Sequence, residues 1–455
     1  MRTIFISSFH QLISRNILRT PLIEILLVDS EVCIVLLVPE DKRVFFTKEF
    51  ERDRVVVEGV SRAMTRRDIF LRYLVLSSVT ARGIEVIRKR EYDRLRSRLL
   101  RVLGRRVFGQ GLIRRLDKWF TPRGRFGALL DRYKPVLVFS TDVQNENDVR
   151  LMHEARSYGI PIVGMVRSWD NFTTKGALRV IPDTLVVTSE IVKREAMNYS
   201  FVPEDRIMVV GIPHYDRYIE AANQKPRTQN QNDNSRLKIT REEFCAKNNL
   251  DPGRKIVLFA PIGDRYIRDN LLDKAVLETL AELDVNILVR MPPSDYVMLD
   301  NWRKGKANVV FDQPGRGAPG GEKNRKLNEV GLEDDDRLIA ELTNCDAVVT
   351  GQSTITVDAS IFDKPIVIVN FDQDGRSYWE SIKRYYDSEY YRPVAESGGA
   401  RFANGIGEIN QLVTQYLENP CLDEDGRKRI AEGQAYKLDG KATERLAQVL
   451  FSSLR

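Results

Sequence analysis

Short runs of β-branched and aliphatic residues, each closed by a turn and followed by a helical pattern, recur along most of this chain and restrict its architecture severely. Residues 3–7 (TIFIS) and 32–38 (VCIVLLV) flank a helical pattern over about 11–27, the opening of a βαβ unit. The rhythm resumes with PVLVFS (135–140), a helical stretch over 146–157, PIVGMV (161–166) and TLVVT (184–188), and VVGIPHYD (209–216) closes the series. A second series starts at KIVLFAPIG (255–263) and runs through NILVR (286–290), NVVF (308–311), DAVV (346–349) and IVIV (366–369). Continuous apolar strands separated by helices belong to parallel sheets covered on both faces. The pattern therefore predicts an α/β protein of two Rossmann-like, doubly wound domains. At 455 residues the chain also exceeds one ordinary core and suits two domains of about 200 residues each. The stretch 221–236, AANQKPRTQNQNDNSR, is polar and lacks apolar periodicity, so it reads as a linker between a first domain at 1–220 and a second at 237–439. Residues 312–331, rich in Gly, Lys and Pro, read as a surface loop.

Charge is spread unevenly. Residues 61–126 hold 19 Lys and Arg against five Asp and Glu, a local balance of +14, so the rest of the chain sums to −7. Apolar runs such as FLRYLVL (70–76) alternate there with RLRSRLLRVLGRRVF (94–108), the composition of basic amphipathic helices. This segment reads as a basic helical insertion in the first domain. It is either a solvated cover or a docking surface for anionic lipid, and the second reading makes the protein peripheral on the cytoplasmic face of a membrane. No helix-turn-helix, zinc-finger or RNP signature accompanies the arginines, so nucleic acid is not expected. Cys33, Cys245, Cys345 and Cys421 lie far apart without a CxxC pair, which argues against a zinc ribbon or a disulfide framework and fits a reducing, cytoplasmic compartment. The N-terminus lacks an apolar signal core, and no uncharged stretch reaches the roughly 18 residues of a membrane span.

The chemistry should gather where strands end, because ligands of open parallel sheets bind outside the carboxyl ends of the strands, in an interdomain crevice for a pair of such domains. The richest stretch is TGQSTITVDASIFDKPIVIVN (350–370). Gly351 permits a turn after the strand, Gln352, Ser353, Thr354 and Thr356 surround the start of the next helix, and Asp358 sits one turn further on. Unpaired N–H groups and hydroxyls at a helix start suit a phosphate, although the same residues would serve an ordinary αβ connection as caps. Gly263 and Arg265 follow KIVLFAP, and Arg290 follows NILV, where it is either a guanidinium for a diphosphate or a structural ion-pair partner. These make a donor-binding set of Gly263, Arg265, Arg290, Gly351, Gln352, Ser353, Thr354 and Asp358, with no metal-ligand cluster and no cofactor.

In the first domain the turn after residues 3–7 carries Ser7, Ser8 and His10. Of the three histidines, His153 falls mid-helix and His214 lies near the domain junction, which leaves His10 placed as a base that could take a proton from an acceptor hydroxyl. The segment RSWDNFTTKG (167–176) packs Arg167, Trp169, Asp170, Asn171 and Lys175 into one loop, suited to a polyhydroxylated ring or to anchoring itself around the indole. With Ser8 these form the expected acceptor-binding set.

Taken together, the residues outside the basic segment resemble a glycosyltransferase of the GT-B fold, near the UDP-N-acetylglucosamine 2-epimerases, the CDP-glycerol glycerophosphotransferases and the lipid II N-acetylglucosaminyltransferases. The resemblance rests on SWDNFTTKG, on Gly211, Pro213 and Asp216 in a GxPxxD pattern, on LFAP, on Ser353 and Thr354, on Asp358 ahead of Lys364-Pro365, and on DGKATER (439–445). It implies that Asp358 binds the donor ribose, that Ser353 and Thr354 meet the donor phosphates, and that the last helix (440–455) packs back on the first domain. It further implies a metal-independent enzyme that moves a sugar from a nucleotide-sugar donor to a hydroxyl acceptor, lipid-linked acceptors included, in cell-surface polysaccharide or glycolipid synthesis. Epimerase-like isomerisation, glycerophosphate transfer and non-catalytic binding of a nucleotide-sugar are the alternatives. Arg290-Met291-Pro292-Pro293 stands where many glycerophosphotransferases carry His-Pro, and GQSTITVDA replaces the double-Gly, double-Glu helix start of the epimerases.

Overall fold

The computed structural model describes the chain apart from residues 93–94, 225–238, 268–269, 294, 296, 298, 300–307, 316–327 and 455, and apart from the side chains of residues 89–92. It divides into two compact units. The first comprises Met1–His214, Ser388–Tyr390 and Lys441–Arg455. Its strands are β1 (Arg2–Ser7), β2 (Val32–Pro39), β3 (Val55–Val60), β4 (Leu137–Ser140), β5 (Ile162–Met165), β6 (Thr184–Val187) and β7 (Ile207–Val209), in the order β3-β2-β1-β4-β5-β6-β7 and all parallel. Ile4 pairs with Ile34 on one side and Leu137 on the other. Successive side chains then alternate faces. Ile4, Ile6, Leu36 and Phe139 enter one core with Leu446 and Leu450 of helix Ala442–Ser452, while Phe5, Val35, Val138 and Phe172 enter the other. Residues buried on both faces explain why these strands read as unbroken apolar runs.

Three strands escaped the sequence reading, all short or at an edge: β3, β7 and β13 (Arg401–Ala403). The helix expected over 11–27 is broken into a turn at Gln11–Ile13, a π-helical segment Ser14–Leu18 and a helix Leu22–Leu27. Pro21 has no N–H to continue the ladder and serves as the cap of the last piece. Between β3 and β4 the chain forms helices Arg66–Ser78, Arg82–Tyr92, Leu95–Gly104 and Val107–Phe120. Buried charges fasten them to the sheet layer. Asp68, in a capping box with Thr65, accepts from Arg150 Nε at 3.0 Å, and Asp117 meets both His153 Nε2 and Arg179 Nε at 2.7 Å.

The second unit, Tyr215–Asp387 with Tyr391–Gly440, contains β8 (Lys255–Ala260), β9 (Val285–Arg290), β10 (Val309–Asp312), β11 (Ala347–Thr350), β12 (Ile366–Val369) and β13, in the parallel order β10-β9-β8-β11-β12-β13. The turns after β8 and β11 touch: a Cβ on Gly351 would lie 2.5 Å from Ile262 Cγ1, so only glycine fits. Helix Ile355–Ile361 then packs on helix Glu424–Ala435. Of the expected linker, residues 225–236 lie outside the described residues, and 221–223 end helix Tyr215–Asn223. Residues 316–327 of the expected surface loop likewise lie outside them.

Candidate functional site

At the carboxyl ends of β1, β4 and β5 the first unit gathers a dense polar cluster. His10 is the N-cap of the turn that follows β1, and its Nδ1 accepts the Leu12 N–H at 3.2 Å. A neutral imidazole that accepts at Nδ1 carries its proton on Nε2. Burial, and after it the Arg167 charge, lowers its pKa from 6.5 to about 3, so the ring is neutral at ordinary pH. His10 thus offers a donor at Nε2 rather than a free lone pair, which corrects its expected role as a direct base.

Around it stand Arg167, paired with Asp142, and Lys175, whose Nζ donates to Asn171 Oδ1 at 2.7 Å and to Asp170 Oδ1 at 3.3 Å. Burial works to raise the Asp170 carboxyl, but Lys175, with Ser168 and Thr174, outweighs it and holds the group well below the usual carboxylate range. Asp142 stands next to a second acid. Asp148, completely buried, accepts from Ser7 Oγ and, at 3.0 Å, from Ser140 Oγ, and burial together with Asp142 pushes it up to about 8. Ser8 Oγ, Asp142 Oδ1, Asp148 Oδ2 and Arg167 Nε are buried without a hydrogen-bond partner among the described residues. These groups at the carboxyl ends of β1, β4 and β5 leave the cluster with donors and acceptors to offer a ligand or solvent.

Two expected acceptor residues serve the loop itself. Asn171 is fully buried, takes N–H bonds from Ser168 and Lys175 on Oδ1, and gives Nδ2 to Gln144 at 2.8 Å, so its amide is engaged on both sides. Trp169 is buried edge-on against Tyr390, with ring centroids 5.7 Å apart, and anchors the loop. His10, Arg167, Asp170 and Lys175 remain partly exposed and come together as the sequence suggested. Asp142, Gln144 and Asp148 were missed. The signal was available, since FSTD carries its polar residues off the end of a predicted strand.

In the second unit the donor-binding set divides. Ser353 is half-buried and Thr354 exposed beside the end of β11, both open to a ligand, with Gln352 next to them. Asp358 is largely buried, with 6% of its surface still exposed, and Thr356 is turned to the Tyr391 hydroxyl at 3.3 Å. Gly263 has φ +96, and its N–H donates to Asp273 Oδ2 at 3.0 Å, while Arg265 N donates to Asp295 Oδ2 at 3.2 Å. Backbone donors already bound to carboxylates do not cradle a phosphate, so Gly263 shapes the turn, and of Arg265 the exposed guanidinium is the part left to reach a ligand. Arg290 is corrected outright. It is buried, with Nη1 2.7 Å from Asp312 Oδ2 and 2.8 Å from Glu341 Oε2 and Nη2 3.1 Å from Asp334 O, an ion-pair network that leaves no fork for a diphosphate. Burial pushes the Glu341 carboxyl up to about 7 against the pull of Arg290. Among the described residues no group of three His, Cys, Asp or Glu is arranged to hold a metal ion.

The turn that carries Gly211 and Pro213 and the helix that follows the last motif meet in the first unit. Thr443 Oγ1 donates to Pro213 O at 3.4 Å and Arg445 Nε to Val210 O at 2.8 Å, which seats helix Ala442–Ser452 on the turn that follows β7.

Comparison with known proteins extends this picture. The model of the CDP-glycerol:poly(glycerophosphate) glycerophosphotransferase family matches residues 178–452. No curated protein matches the sequence. Among solved structures, S. aureus MnaA in its co-structure with UDP is similar at TM-score 0.55 and 13% identity over 100% of this chain and 98% of that one. The UDP-GlcNAc 2-epimerase from Neisseria meningitidis bound to UDP-GlcNAc gives TM-score 0.55 and 13% identity over 99% and 100%. A glycosyltransferase from Rickettsia africae ESF-5 gives 0.51 and 11% over 100% and 99%. At such identities the likeness is one of fold, the pair of Rossmann-like domains of the GT-B class.

Proposed function

This chain belongs to the CDP-glycerol:poly(glycerophosphate) glycerophosphotransferase family, and on that premise we propose that it transfers a nucleotide-activated group, glycerol phosphate or a sugar, to a hydroxyl acceptor without a metal ion. The observation that carries the proposal is the family match over residues 178–452, which spans the whole β11 turn and helix Ile355–Ile361. Ser353, Thr354, Gln352 and the Arg265 guanidinium are the donor-phosphate contacts in this reading, and Asp358, one turn into the helix, is the ribose contact. In the first unit Asp170 accepts the hydrogen bond of the acceptor hydroxyl, and His10 Nε2–H and Arg167 donate to its neighbouring oxygens. Ser8 and Lys175 complete that set.

Glycerophosphate transfer and sugar transfer break different bonds. With CDP-glycerol, the acceptor oxygen attacks the β-phosphorus, the phosphoanhydride breaks and CMP leaves. With a sugar nucleotide, it attacks the anomeric carbon, the C–O bond breaks and a nucleoside diphosphate leaves. In both cases the hydroxyl proton passes to a base or to solvent. The released nucleotide therefore decides between them. Acceptor-dependent CMP release from CDP-glycerol supports the first, nucleoside diphosphate release from a sugar nucleotide supports the second, and an epimerised donor without any acceptor would overturn transfer altogether.

The anionic membrane surface is the partner that the charge of residues 61–126 fits best, with the protein on the cytoplasmic face and the acceptor lipid-linked. Among the described residues no helix is long and apolar enough to cross a membrane.

A further inference from the structure

Two of the helices between β3 and β4 are turned inside out. Helix Leu95–Gly104 buries Ser97 and Gly104, yet Leu95, Leu99 and Val102 are 72%, 65% and 68% exposed. Spacings of four and three residues put those three on one stripe. Helix Val107–Phe120 buries Gly109, Gln110, Ile113 and Asp117 and leaves Phe108 and Trp119 78% and 75% exposed, with Leu112 between them on the same stripe. A helix covering a soluble core turns its apolar stripe inward. Contiguous apolar exposure of this kind marks a face that a second apolar phase covers. Arg96, Arg98, Arg106 and Arg115 border the two stripes and form no ion pair with any described residue.

Helix Arg66–Ser78 packs on both of these helices, and the Tyr73 hydroxyl lies 2.9 Å from Ser97 Oγ. It also borders a cavity of about 410 Å³ whose apolar wall includes Ile69, Phe70 and Leu76 and whose polar wall includes Arg66, Arg72 and Arg88. No carboxylate lines it among the described residues. The Arg66 and Arg72 guanidinium groups over aliphatic and aromatic carbon match an anion joined to hydrocarbon, because the planar fork pairs with phosphate oxygens while Leu76 and the exposed Ile69 and Phe70 offer the first methylenes an apolar surface. The volume falls in the range of small-ligand sites, large enough for a head group and a short length of chain.

We propose that this cavity holds the phosphate of one anionic membrane phospholipid, with the first acyl carbons against Ile69, Phe70 and Leu76, while the exposed stripes of the two following helices enter the head-group layer. The proposal rests on the reading of residues 61–126 as a membrane-facing surface and is independent of the transfer reaction. It gives that surface a specific ligand site where the bare charge balance gives only attraction.

The test uses the full chain and two probes: vesicles of phosphatidylglycerol or phosphatidylcholine, read by co-sedimentation and by the emission of Trp119, and dihexanoyl-phosphatidylglycerol below its micelle concentration, read by calorimetry. The short lipid is expected to bind saturably, and Arg66→Ala with Arg72→Ala, both exposed positions whose loss leaves the fold intact, should weaken it at least tenfold. Leu99→Ser with Phe108→Ser should abolish vesicle binding and leave the short lipid bound. Short-lipid binding that is absent, or equal in wild type and the arginine variant, would overturn the cavity even where anionic vesicles still bind. Indifference to vesicle charge would sink the membrane reading with it. Equal binding of glycerol phosphate would reduce the cavity to a plain anion site, and a concentration-dependent dimer unaffected by lipid would assign the face to a second copy. Either result also overturns the proposal.

Discussion

Replacing His10 with Asn tests the account of the first-unit cluster where it departs most from the sequence reading. Asn is among the best N-caps, so its side-chain oxygen can accept the Leu12 N–H in place of Nδ1 while the titration disappears. The folded His10 pKa lies below its ordinary value, so the unfolded chain binds the extra proton as pH falls and the contribution of neutral His10 is lost with it. That contribution is fully present above pH 6.5, declines below it and is exhausted near pH 3. With 6.5 in the unfolded chain and about 3 in the folded one, the difference in unfolding free energy between wild type and His10→Asn should change by about 2 kcal/mol from pH 7 to pH 5. The figure hardly depends on how far below about 4 the folded value lies, because at pH 5 nearly all of the cost comes from protonating the unfolded chain. Urea denaturation of both proteins at several pH values reads it directly, and other titrating groups cancel in the difference. Parallel stability curves from pH 7 to 5 would refute the reasoning, return the ring to an ordinary pKa and restore His10 as a candidate base.

Arg290→Met should destabilise the second unit by about 3 to 5 kcal/mol, since it leaves Glu341 in the interior without its cation and Asp312 with Arg337 alone, and Glu341→Gln in the same chain should recover part of that in denaturant melts. Gly351→Ala should cost about 1 to 3 kcal/mol through its clash with Ile262, and that cost should shrink in an Ile262→Ala background; an equal cost in both backgrounds would deny the contact. Asp148→Asn should remove a loss of stability that the wild type shows as pH rises from about 4 to 8, because the raised carboxyl holds its proton in the folded state and releases it in the unfolded one. Ser353→Ala with Thr354→Val should weaken donor binding by about 1 to 3 kcal/mol in titration calorimetry at only a small cost in thermal stability, that of the Ile355 N–H bond to Ser353 Oγ at 3.4 Å.

The sequence by itself determined the two parallel sheets, because strands buried on both faces must be apolar at every position and so stand out from the helices between them: ten of the thirteen strands among the described residues declare themselves this way. It also pointed to the strand ends where the polar residues gather, since Ser353 and Thr354 follow β11 and His10 follows β1 whatever else the chain does. Partners were beyond it. Arg290 looks the same in one dimension whether it awaits a diphosphate or lies between Asp312 and Glu341, residues 22 and 51 positions away. Asn171 and Trp169 could be read as ligands until packing closed them into their own loop. His10 has the right place for a base, but its protonation follows from a backbone N–H two residues on and from a guanidinium brought over by β5, so its chemistry was decided only when the strands paired. Periodicity and turn residues are local and survive in the sequence. Hydrogen-bond saturation, desolvation and the sign of the neighbouring charge are sums over residues far apart in the chain, and only the tertiary structure performs them.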